Sequence, residues 1–289
     1  MSKESFPLVS VLIPAYNRPD TLQVAIDSIL DQTYPNIEII ICDDSSDNRV
    51  EEMMDSYLHR FPQIRYFKNE ENLFIGNWHK CFDLASGEYI NYLMDDDVFH
   101  KEKIASMMFY YLRFANISLV TSYRQTINAQ GEHIPPIYAT RRLYHEDRVM
   151  DGKILGNYAL SHCLNVIGEP TTVLFRKSDL VDRYGFYQGK QYVLLNDMAA
   201  WLSLLSKGRA VYITDALSYF RIHPNQNNET LGANLFSEWL DLVIAARKDG
   251  FLDSDHLYQM ALRSYRDRIQ RYPAFTKDIE RIDGILLSL

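Results

Sequence analysis

Apolar runs rich in β-branched and aromatic residues alternate with amphipathic stretches through the first hundred residues. The pattern predicts buried strands over residues 8–13, 38–42, 64–67 and 89–94. Between the first two, residues 22–30 place apolar side chains at the i, i+3, i+4, i+7 spacing of an amphipathic helix, and helices are also predicted over 50–61 and 77–85. Strands that alternate with helices predict βαβ units and a mainly parallel sheet flanked by helices.

The second half of the chain alternates less regularly. The pattern predicts helices over 104–114 and 197–205, strands over 119–123, 210–214 and 217–220, and a loop entering a strand over 168–176. Residues 135–151 are expected to form an irregular, partly basic loop, and 139–151 is a candidate mobile lid. Beyond Asn228 the pattern is helical. We therefore expect an α/β domain over 1–228 and a C-terminal helical extension over 229–289.

Composition narrows the class of protein. The chain has 289 residues, 47% of them hydrophobic, and can bury a large core. Its net charge of −8 argues against a nucleic-acid partner, which would need a clustered basic face. No stretch approaches the ~20 apolar residues of a membrane span. Because the chain also does not open with a basic segment followed by an apolar run, we expect a cytoplasmic protein. The three cysteines are scattered without C-x-x-C spacing, and we expect them to be buried free thiols.

Three adjacent carboxylates, Asp95-Asp96-Asp97, follow the apolar run at 89–94. Like charges at this spacing repel one another, and deep burial of uncompensated ions costs several kcal/mol each. A divalent cation would neutralise them, since Mg²⁺ is typically held by one or two carboxylates together with substrate phosphates. From these residues alone, a solvated acidic turn is the alternative.

Polar motifs also follow the first two predicted strands. Pro14-Ala15-Tyr16-Asn17 follows the first strand, and Asp43-Asp44 follows the second. Open α/β sheets bind ligands beyond the carboxyl ends of their strands, so these motifs and the Asp triplet are expected to share one site. For Asp43-Asp44 a helix cap is the alternative role, because Asp-Asp-Ser-Ser is also good N-cap chemistry.

Six ordered segments together carry a resemblance to one family. They are residues 9–17, 29–34, 41–46, 85–97, Asn196-Asp197 before an apolar helix, and 219–224. The set resembles glycosyltransferase family 2, inverting enzymes of the GT-A fold that use nucleotide-sugar donors, and it spans roughly residues 7–226. The resemblance implies a GT-A type, Rossmann-like sheet with a nucleotide-binding half over about 1–123 and an acceptor half over about 124–228.

On the donor side, the resemblance implies a nucleotide-sugar site of eight residues. They are Pro14, Ala15, Tyr16, Asn17, Asp44, Asn77, Asp95 and Asp96. The first three resemble the family's wall around the nucleobase, and Asp44 resembles the carboxylate that accepts a hydrogen bond from a pyrimidine N–H. A UDP-sugar is therefore the implied donor, with a dTDP-sugar as the alternative. For Tyr16, surface packing at a strand end is the alternative role.

The resemblance also implies a divalent metal, Mn²⁺ or Mg²⁺. Its implied ligands are Asp96, Asp97 and His223. Counting from residues 87–90 aligns Asp96 with the family's metal-binding aspartate, and Asp95 with the position near the ribose and diphosphate. The common pattern has a first Asp where this chain has Met94, and Asp95 with Asp97 forms another Asp-x-Asp pair. The assignment among the three aspartates stays open, and a structural or solvated role is the alternative for His223.

Asp197 resembles the catalytic base of the family. An inverting transfer is one in-line displacement at the anomeric carbon. It needs a carboxylate that takes the acceptor's hydroxyl proton and a metal opposite that stabilises the departing diphosphate. The dipole at a helix N-terminus favours an ionised carboxylate, although an N-cap without chemistry is the alternative. The resemblance places Glu169, Thr171 and Trp201 on the acceptor side.

One segment departs from the family pattern. Many members carry an Arg-Asn pair in the helix before Gly87, where the Arg meets a donor phosphate, and this chain has Asn77-Trp78-His79-Lys80 there. Either His79 or Lys80 could therefore contact the donor phosphate from this helix, and the sequence does not decide between them.

The implied function is a metal-dependent, inverting hexosyltransferase. It would move a sugar from a UDP-sugar to a hydroxyl of a glycan, glycoprotein or lipid-linked acceptor, in surface polysaccharide synthesis or protein glycosylation. A nucleotidyltransferase would instead show a Gly-rich basic loop after the first strand, which 13–18 is not, and a non-catalytic nucleotide-sugar-binding module would not need Asp197.

The C-terminal extension carries an apolar cluster at 239–244. We expect this cluster to cover the acceptor face or to form a homodimer, because a one-sided basic stripe for membrane binding is lacking. The expected location is the cytoplasm, with peripheral attachment to the inner face of the membrane as an extension of that prediction.

Overall fold

A nine-stranded sheet lies at the centre of the computed structural model, which describes residues 6–224, 234 and 236–289. Its strands are β1 (Val9–Ala15), β2 (Ile37–Asp43), β3 (Ile64–Lys68), β4 (Tyr89–Tyr92), β5 (Val98–Phe99), β6 (Ile117–Ile127), β7 (Arg148–Asp151), β8 (Leu174–Arg176) and β11 (Arg209–Arg221); β9 (Phe186–Tyr187) and β10 (Lys190–Gln191) form a separate hairpin. The strand order is β3-β2-β1-β4-β8-β6-β11-β5, and β7 also pairs with β11. Six of these strands run in the same direction, and β5, β7 and β8 run antiparallel to them. The predicted mainly parallel sheet is therefore confirmed.

Helices cover both faces of the sheet. They are α1 (Pro19–Leu30), α2 (Arg49–Leu58), α3 (Ile75–Leu84), α4 (Lys103–Arg113), α5 (Gly152–Ser161), α6 (Asn196–Leu205), α7 (Trp239–Lys248), α8 (Asp255–Ile269) and α9 (Thr276–Ser288). Helix α1 begins at Pro19, whose fixed φ suits the first helical position. It buries Leu22, Ala25, Ile26 and Ile29, the apolar face that the sequence predicts.

The direction in which the sheet grows reverses between β1 and β4. The chain adds β2 and β3 on one side of β1, and then returns to place β4 on the other side. In open α/β sheets the ligand crevice lies at such a reversal, outside the carboxyl ends of the strands. The two strand ends are joined here, because the Tyr16 N–H donates a hydrogen bond of 2.9 Å to Asp95 Oδ2.

Two sequence predictions in the second half are wrong. The stretch 135–151 is not an irregular loop throughout, because Arg148–Asp151 forms β7 and pairs antiparallel with the start of β11. Residues 210–214 and 217–220 belong to one strand, β11, whose pairing with β6 continues across register shifts near Ala216. The polar residues Thr214 and Asp215 interrupt the apolar pattern, but the β-bulges there keep the strand in the sheet.

The C-terminal helices share the core of the rest of the chain. One continuous apolar cluster includes Leu12 of β1, Leu155 of α5, Leu202 of α6, Leu262 of α8 and Ile282 of α9. The extension therefore packs into the same apolar core as α5 and α6, whereas the acceptor face and the homodimer stay predictions. The predicted boundary between 228 and 229 lies outside the described residues. In the part of the chain that is described, no helix is long and apolar enough to cross a membrane.

Candidate active site

The Asp triplet follows β4 and lies in the crevice at the reversal point. Asp95 accepts hydrogen bonds from the Tyr16 N–H at 2.9 Å and from Arg18 Nη1 at 3.0 Å. Asp96 Oδ2 lies 2.9 Å from the same Arg18 nitrogen and 3.0 Å from His223 Nε2. The predicted neighbours Tyr16, Asp95, Asp96 and His223 are therefore brought together, with Arg18 between the two carboxylates.

Asp97 has a different environment from the other two aspartates. Its Oδ2 accepts a hydrogen bond of 2.6 Å from the Thr171 hydroxyl, and its Oδ1 accepts one of 2.9 Å from the Arg221 N–H. Arg221 Nε donates to the Asp96 carbonyl at 2.6 Å, so β11 is tied to the triplet twice. Burial, and then the neighbouring Asp96, raise the pKa of Asp97 well above its usual range. Both oxygens of Asp97 are engaged by groups of the protein itself.

The crevice contains groups that could contribute to a cation site. Burial and the charge of Asp96 raise the pKa of Asp95 to about 7, although Arg18 opposes the shift. Asp96 Oδ2 and His223 Nε2 are 3.0 Å apart, and carboxylate oxygen and imidazole nitrogen are both ligands of divalent metals. Among the described residues no group of three or more His, Cys, Asp or Glu is arranged so that it could hold a metal ion by itself. The residues present thus fit a metal whose remaining ligands come from substrate phosphates, as is usual for Mg²⁺.

The predicted nucleobase wall lies at the ends of β1 and β2. Pro14 and Ala15 are buried in β1, whereas Tyr16 is 46% exposed at the mouth of the crevice. Asn17 joins the two strand ends, because its N–H donates to Ser45 Oγ at 2.7 Å and its Oδ1 accepts from the Ser46 N–H at 2.9 Å. The exposed ring of Tyr16 therefore stands on a fixed backbone.

Asp44 is buried beneath this wall and already accepts several hydrogen bonds. Its Oδ1 accepts from Asn69 Nδ2 at 2.6 Å, and its Oδ2 accepts from the N–H groups of Leu73 and Phe74 at 3.1 Å. Asn77 supports Asn69 by accepting from the same Nδ2 at 2.9 Å. Asp44 and Asn77 thus belong to one network that fixes the segment before α3.

The open question in α3 concerns His79 and Lys80. His79 is buried, with Nε2 3.0 Å from the Tyr184 carbonyl oxygen. Lys80 donates to Asn69 Oδ1 in the network around Asp44. Of the two, Lys80 therefore lies closer to the predicted nucleotide site, and its contact with a donor phosphate stays a prediction.

Asp197 lies in the first turn of α6, as predicted, and its carboxylate is held from two sides. Asn165 Nδ2 donates to its Oδ2 at 2.7 Å, and the Met198 N–H donates to its Oδ1 at 2.6 Å. Burial raises the pKa of Asp197 to about 7, and the charge of Glu169 adds to the shift, while Arg124 and Asn165 oppose it. The group can therefore exchange a proton near neutral pH.

Of the predicted acceptor-side residues, Glu169 lines the same cavity as Asp197, and Trp201 lies one turn further along α6. Arg124 is buried, forms an ion pair with Glu169 and donates to the Asn165 carbonyl at 3.0 Å. Trp201 Nε1 donates to the Gly168 carbonyl at 2.9 Å. Gly168 has a φ of +119°, and a Cβ there would lie 2.0 Å from Thr172 Oγ1, so only glycine fits. The turn that carries Glu169 and Thr171 is therefore rigid.

Thr171 connects the acceptor side with the Asp triplet. Its hydroxyl donates to Asp97 and accepts from the Met94 N–H at 3.1 Å. Asn91 Nδ2 in β4 donates to the Thr171 carbonyl at 3.2 Å. The predicted donor and acceptor sides are thus joined by direct contacts through one short turn.

Three residues of this site were missed by the sequence analysis. Arg18 bridges Asp95 and Asp96, Asn165 donates a hydrogen bond to Asp197, and Arg124 forms an ion pair with Glu169. For Arg18 a signal existed, because it directly follows the motif at 14–17 and is a cation at a strand end. Asn165 and Arg124 lie far from their partners along the chain, and their residue types indicate no partner.

Comparisons with known proteins agree with this geometry. Residues 10–163 match the family model for glycosyl transferase family 2. One relative is the Escherichia coli UDP-Glc:alpha-D-GlcNAc-diphosphoundecaprenol beta-1,3-glucosyltransferase WfaP. The two sequences are 27% identical over 233 residues, which cover 80% of this chain and 82% of WfaP. The chain is 28% identical over 223 residues, covering 76% of this chain and 81% of the relative, to TuaG of Bacillus subtilis, which is named as a glycosyltransferase of teichuronic acid biosynthesis.

Solved structures show the same fold at low sequence identity. TarS 1–349 from S. aureus in complex with UDP-GlcNAc superposes with a TM-score of 0.65 at 16% identity, covering 93% of this chain and 75% of that one. The mannosyltransferase PcManGT from Pyrobaculum calidifontis, in complex with GDP-Man and Mn²⁺, gives a TM-score of 0.61 at 14% identity, covering 94% and 76%. The protein has the GT-A fold of these transferases, and since the family model spans more than half of the chain, the protein belongs to glycosyltransferase family 2.

Proposed function

We propose that this glycosyltransferase moves a hexose from a UDP-sugar to an acceptor hydroxyl with inversion, using Asp197 as general base and a divalent metal at Asp96. The observation that carries the proposal is the environment of the Asp197 carboxylate. Its carboxylate is oriented by Asn165, has a pKa of about 7, and borders a cavity of about 370 Å³ that is large enough for a sugar. General bases work best when their pKa lies near the operating pH.

The donor assignment rests on the wall at the ends of β1 and β2. Tyr16 presents an exposed aromatic face on a fixed backbone, and Asp44 lies buried below it. A carboxylate has about four lone-pair sites, so Asp44 can accept a further hydrogen bond from a pyrimidine N–H. The names of WfaP and of the TarS complex contain UDP-sugars, which supports uridine over thymidine for this chain.

The diphosphate is assigned to the crevice beside the triplet. Asp96 and His223 would hold the metal, which when bound would supply positive charge beside the departing diphosphate. Asp97 is assigned a positioning role, because it ties Thr171 and Arg221 to the triplet, whereas Asp96 is the aspartate that lies beside His223. The positive charge of Arg18 also lies in this crevice, and it offsets the negative charge of Asp95.

The chemistry is a single displacement. Asp197 takes the proton of the acceptor hydroxyl while that oxygen attacks the anomeric carbon. The bond between the anomeric carbon and the diphosphate oxygen breaks, its electron pair leaves with UDP, and the configuration inverts. We assign the turn that carries Glu169 and Thr171 to the acceptor side. Thr171 contacts Asp97, and Trp201 of α6 donates a hydrogen bond to the Gly168 carbonyl at the start of this turn.

The acceptor class is proposed from the relatives. The name of WfaP contains a sugar linked to diphosphoundecaprenol, and TuaG is named for a surface polysaccharide. We infer a lipid-linked acceptor, bound at the cytoplasmic face of the membrane during surface polysaccharide or glycoprotein glycan synthesis. A peripheral location would bring the cavity beside Asp197 to the lipid-linked sugar.

A screen of UDP-sugars and dTDP-sugars for Mn²⁺-dependent hydrolysis tests the donor and the metal without knowledge of the acceptor. We expect hydrolysis of a UDP-sugar that is lost on chelation. Transfer by Asp197→Asn should fall by about 10²- to 10⁴-fold, the usual contribution of a general base. Asp215→Asn, a change of the same kind at an exposed position of β11, should keep full activity. Full turnover by Asp197→Asn would exclude this mechanism.

A further inference from the structure

Two cavities meet between the proposed base and the C-terminal helices. The inner cavity, about 370 Å³, is lined by Asp197 and by aromatic residues that include Trp239. The outer cavity, about 670 Å³, is lined by Arg271 and Tyr272 at the end of α8. Phe236 and Arg268 line both, so the two cavities form one groove that leads from the base to the end of α8.

The inner part of the groove suits a sugar ring. Phe220, Phe236 and Trp239 contribute aromatic surface beside Asp197. Trp239 is buried, and its indole N–H lacks a hydrogen-bond partner among the described residues. A buried donor without a partner is costly, and a ligand hydroxyl would satisfy it. Aromatic surface combined with few polar groups is typical of small-ligand cavities.

Arg268 is held at the junction of the two cavities. Its Nη2 donates to the His162 carbonyl at 3.3 Å, and its guanidinium carbon lies 6.0 Å from the centre of the Phe236 ring. These contacts leave further N–H groups of its five, which can bind an anion. Arginine is well suited to phosphate because its planar donors bind two oxygens at once.

Charge changes sign along the groove. The inner end carries the carboxylates of Asp197 and Glu169, which would repel an anion. The outer part carries Arg268 and Arg271, against the one carboxylate of Asp267. A ligand that matches this order is neutral at the base and anionic towards α8.

We propose that this groove binds the acceptor as a sugar diphosphate ester, with the sugar at Asp197 and the diphosphate at Arg268 and Arg271. The assignment rests on the proposed function, because it takes Asp197 as the group that receives the acceptor proton. It gives the C-terminal helices a role in acceptor binding, beyond covering the core.

Calorimetry with geranyl diphosphate, at saturating UDP and Mg²⁺ to fill the donor site, tests the anionic part of the groove. The protein should bind geranyl diphosphate at least about tenfold more tightly than geraniol, which lacks the diphosphate. Arg268→Gln and Arg271→Gln should each weaken binding by about tenfold. Arg263→Gln is the matched control, because Arg263 lies on α8 but lines neither cavity.

The outcomes separate this proposal from the proposed function. Unchanged binding by both arginine variants, or equal binding of geranyl diphosphate and geraniol by the unmodified protein, would overturn it. Arg271 is exposed, so Arg271→Gln is expected to fold. Its binding measurement therefore tests the proposal even if Arg268→Gln does not fold. Asp197→Asn should retain binding, so its turnover tests the base while the calorimetry tests the groove.

Discussion

Replacing Asp197 by Asn is expected to stabilise the protein while removing its activity. The substitution keeps the shape of the side chain and removes a charge that burial has made costly. Loss of the base should lower kcat by about 10²- to 10⁴-fold. A catalytic group that destabilises the fold is a known feature of active sites, whereas a helix-capping Asp would stabilise it.

The size of the stability gain follows from the pKa. A rise from 3.8 to about 7 corresponds to about 4 kcal/mol at a pH above both values. Because Asp197 is not fully shielded from solvent, we reduce this to about 2–3 kcal/mol. Asn supplies one oxygen for the two donors Asn165 and Met198, which removes about 1 kcal/mol. The expected net gain is about 1–2 kcal/mol, or roughly 3 °C in Tm for a chain of this size.

The gain must depend on pH in one direction. The pKa of Asp197 is higher in the folded than in the unfolded protein, so the folded state binds the proton more tightly. The contribution of Asp197 to stability therefore falls as the pH rises from about 4 to about 7 and is constant above that window. The difference in Tm between Asp197→Asn and the unmodified protein should be close to zero at pH 5 and largest at pH 8.

Thermal unfolding at pH 5, 6, 7 and 8 measures this difference, with Asp215→Asn as the control for removal of an exposed charge. Other buried carboxylates, such as Asp95 and Asp97, titrate in both proteins and cancel in the comparison. A constant difference across this range, or a lower Tm for Asp197→Asn at pH 8, would refute the account of a desolvated base.

Three further predictions concern single residues. Asn165→Ala should lower kcat and move the acidic limb of the pH–rate profile upward, because Asp197 loses a hydrogen bond that favours its ionised form; an unshifted limb would contradict this role. Asp96→Asn should weaken activation by Mn²⁺ at least about tenfold in a metal titration of transfer, as expected for loss of a charged ligand, and an unchanged titration would exclude Asp96 as a ligand. Lys103→Met should raise Tm at pH 7, because burial lowers the pKa of the Lys103 amine well below its usual range and the charged form is destabilised. Loss of the bond to the Thr172 carbonyl should offset part of the gain, and the gain should shrink as the pH rises through the usual lysine range; a lower Tm at pH 7 would contradict it.

The first half of the fold could be predicted because its signals are local. Each of β1, β2 and β4 is a short buried run that ends at polar residues, so the ends that form the crevice are visible in the sequence. By contrast, β7 has exposed and half-buried residues and is a strand only because it pairs with β11. A pairing partner some 60 positions away leaves no periodic pattern in either segment.

The same contrast holds for the site. Asp197 and the triplet were identifiable because acidic residues at strand ends and helix starts carry their own signal. The contacts that orient them join distant positions: Arg18 and Asp95 are 77 positions apart, and Asn165 and Asp197 are 32 apart. Nor could the sequence show that Asp97 differs from Asp96, since that difference arises from hydrogen bonds made by Thr171 and Arg221.

The continuous apolar cluster from β1 to α9 has a consequence for how the chain loses its structure. Because Leu12, Leu202 and Ile282 belong to one cluster, removal of the last helices would uncover apolar surface on α5 and α6. Amides in β1 and in α8 should then exchange with deuterium through the same global opening, at similar free energies. Cleavage after β11 should therefore leave a fragment with exposed apolar surface, and we expect this fragment to aggregate instead of folding by itself.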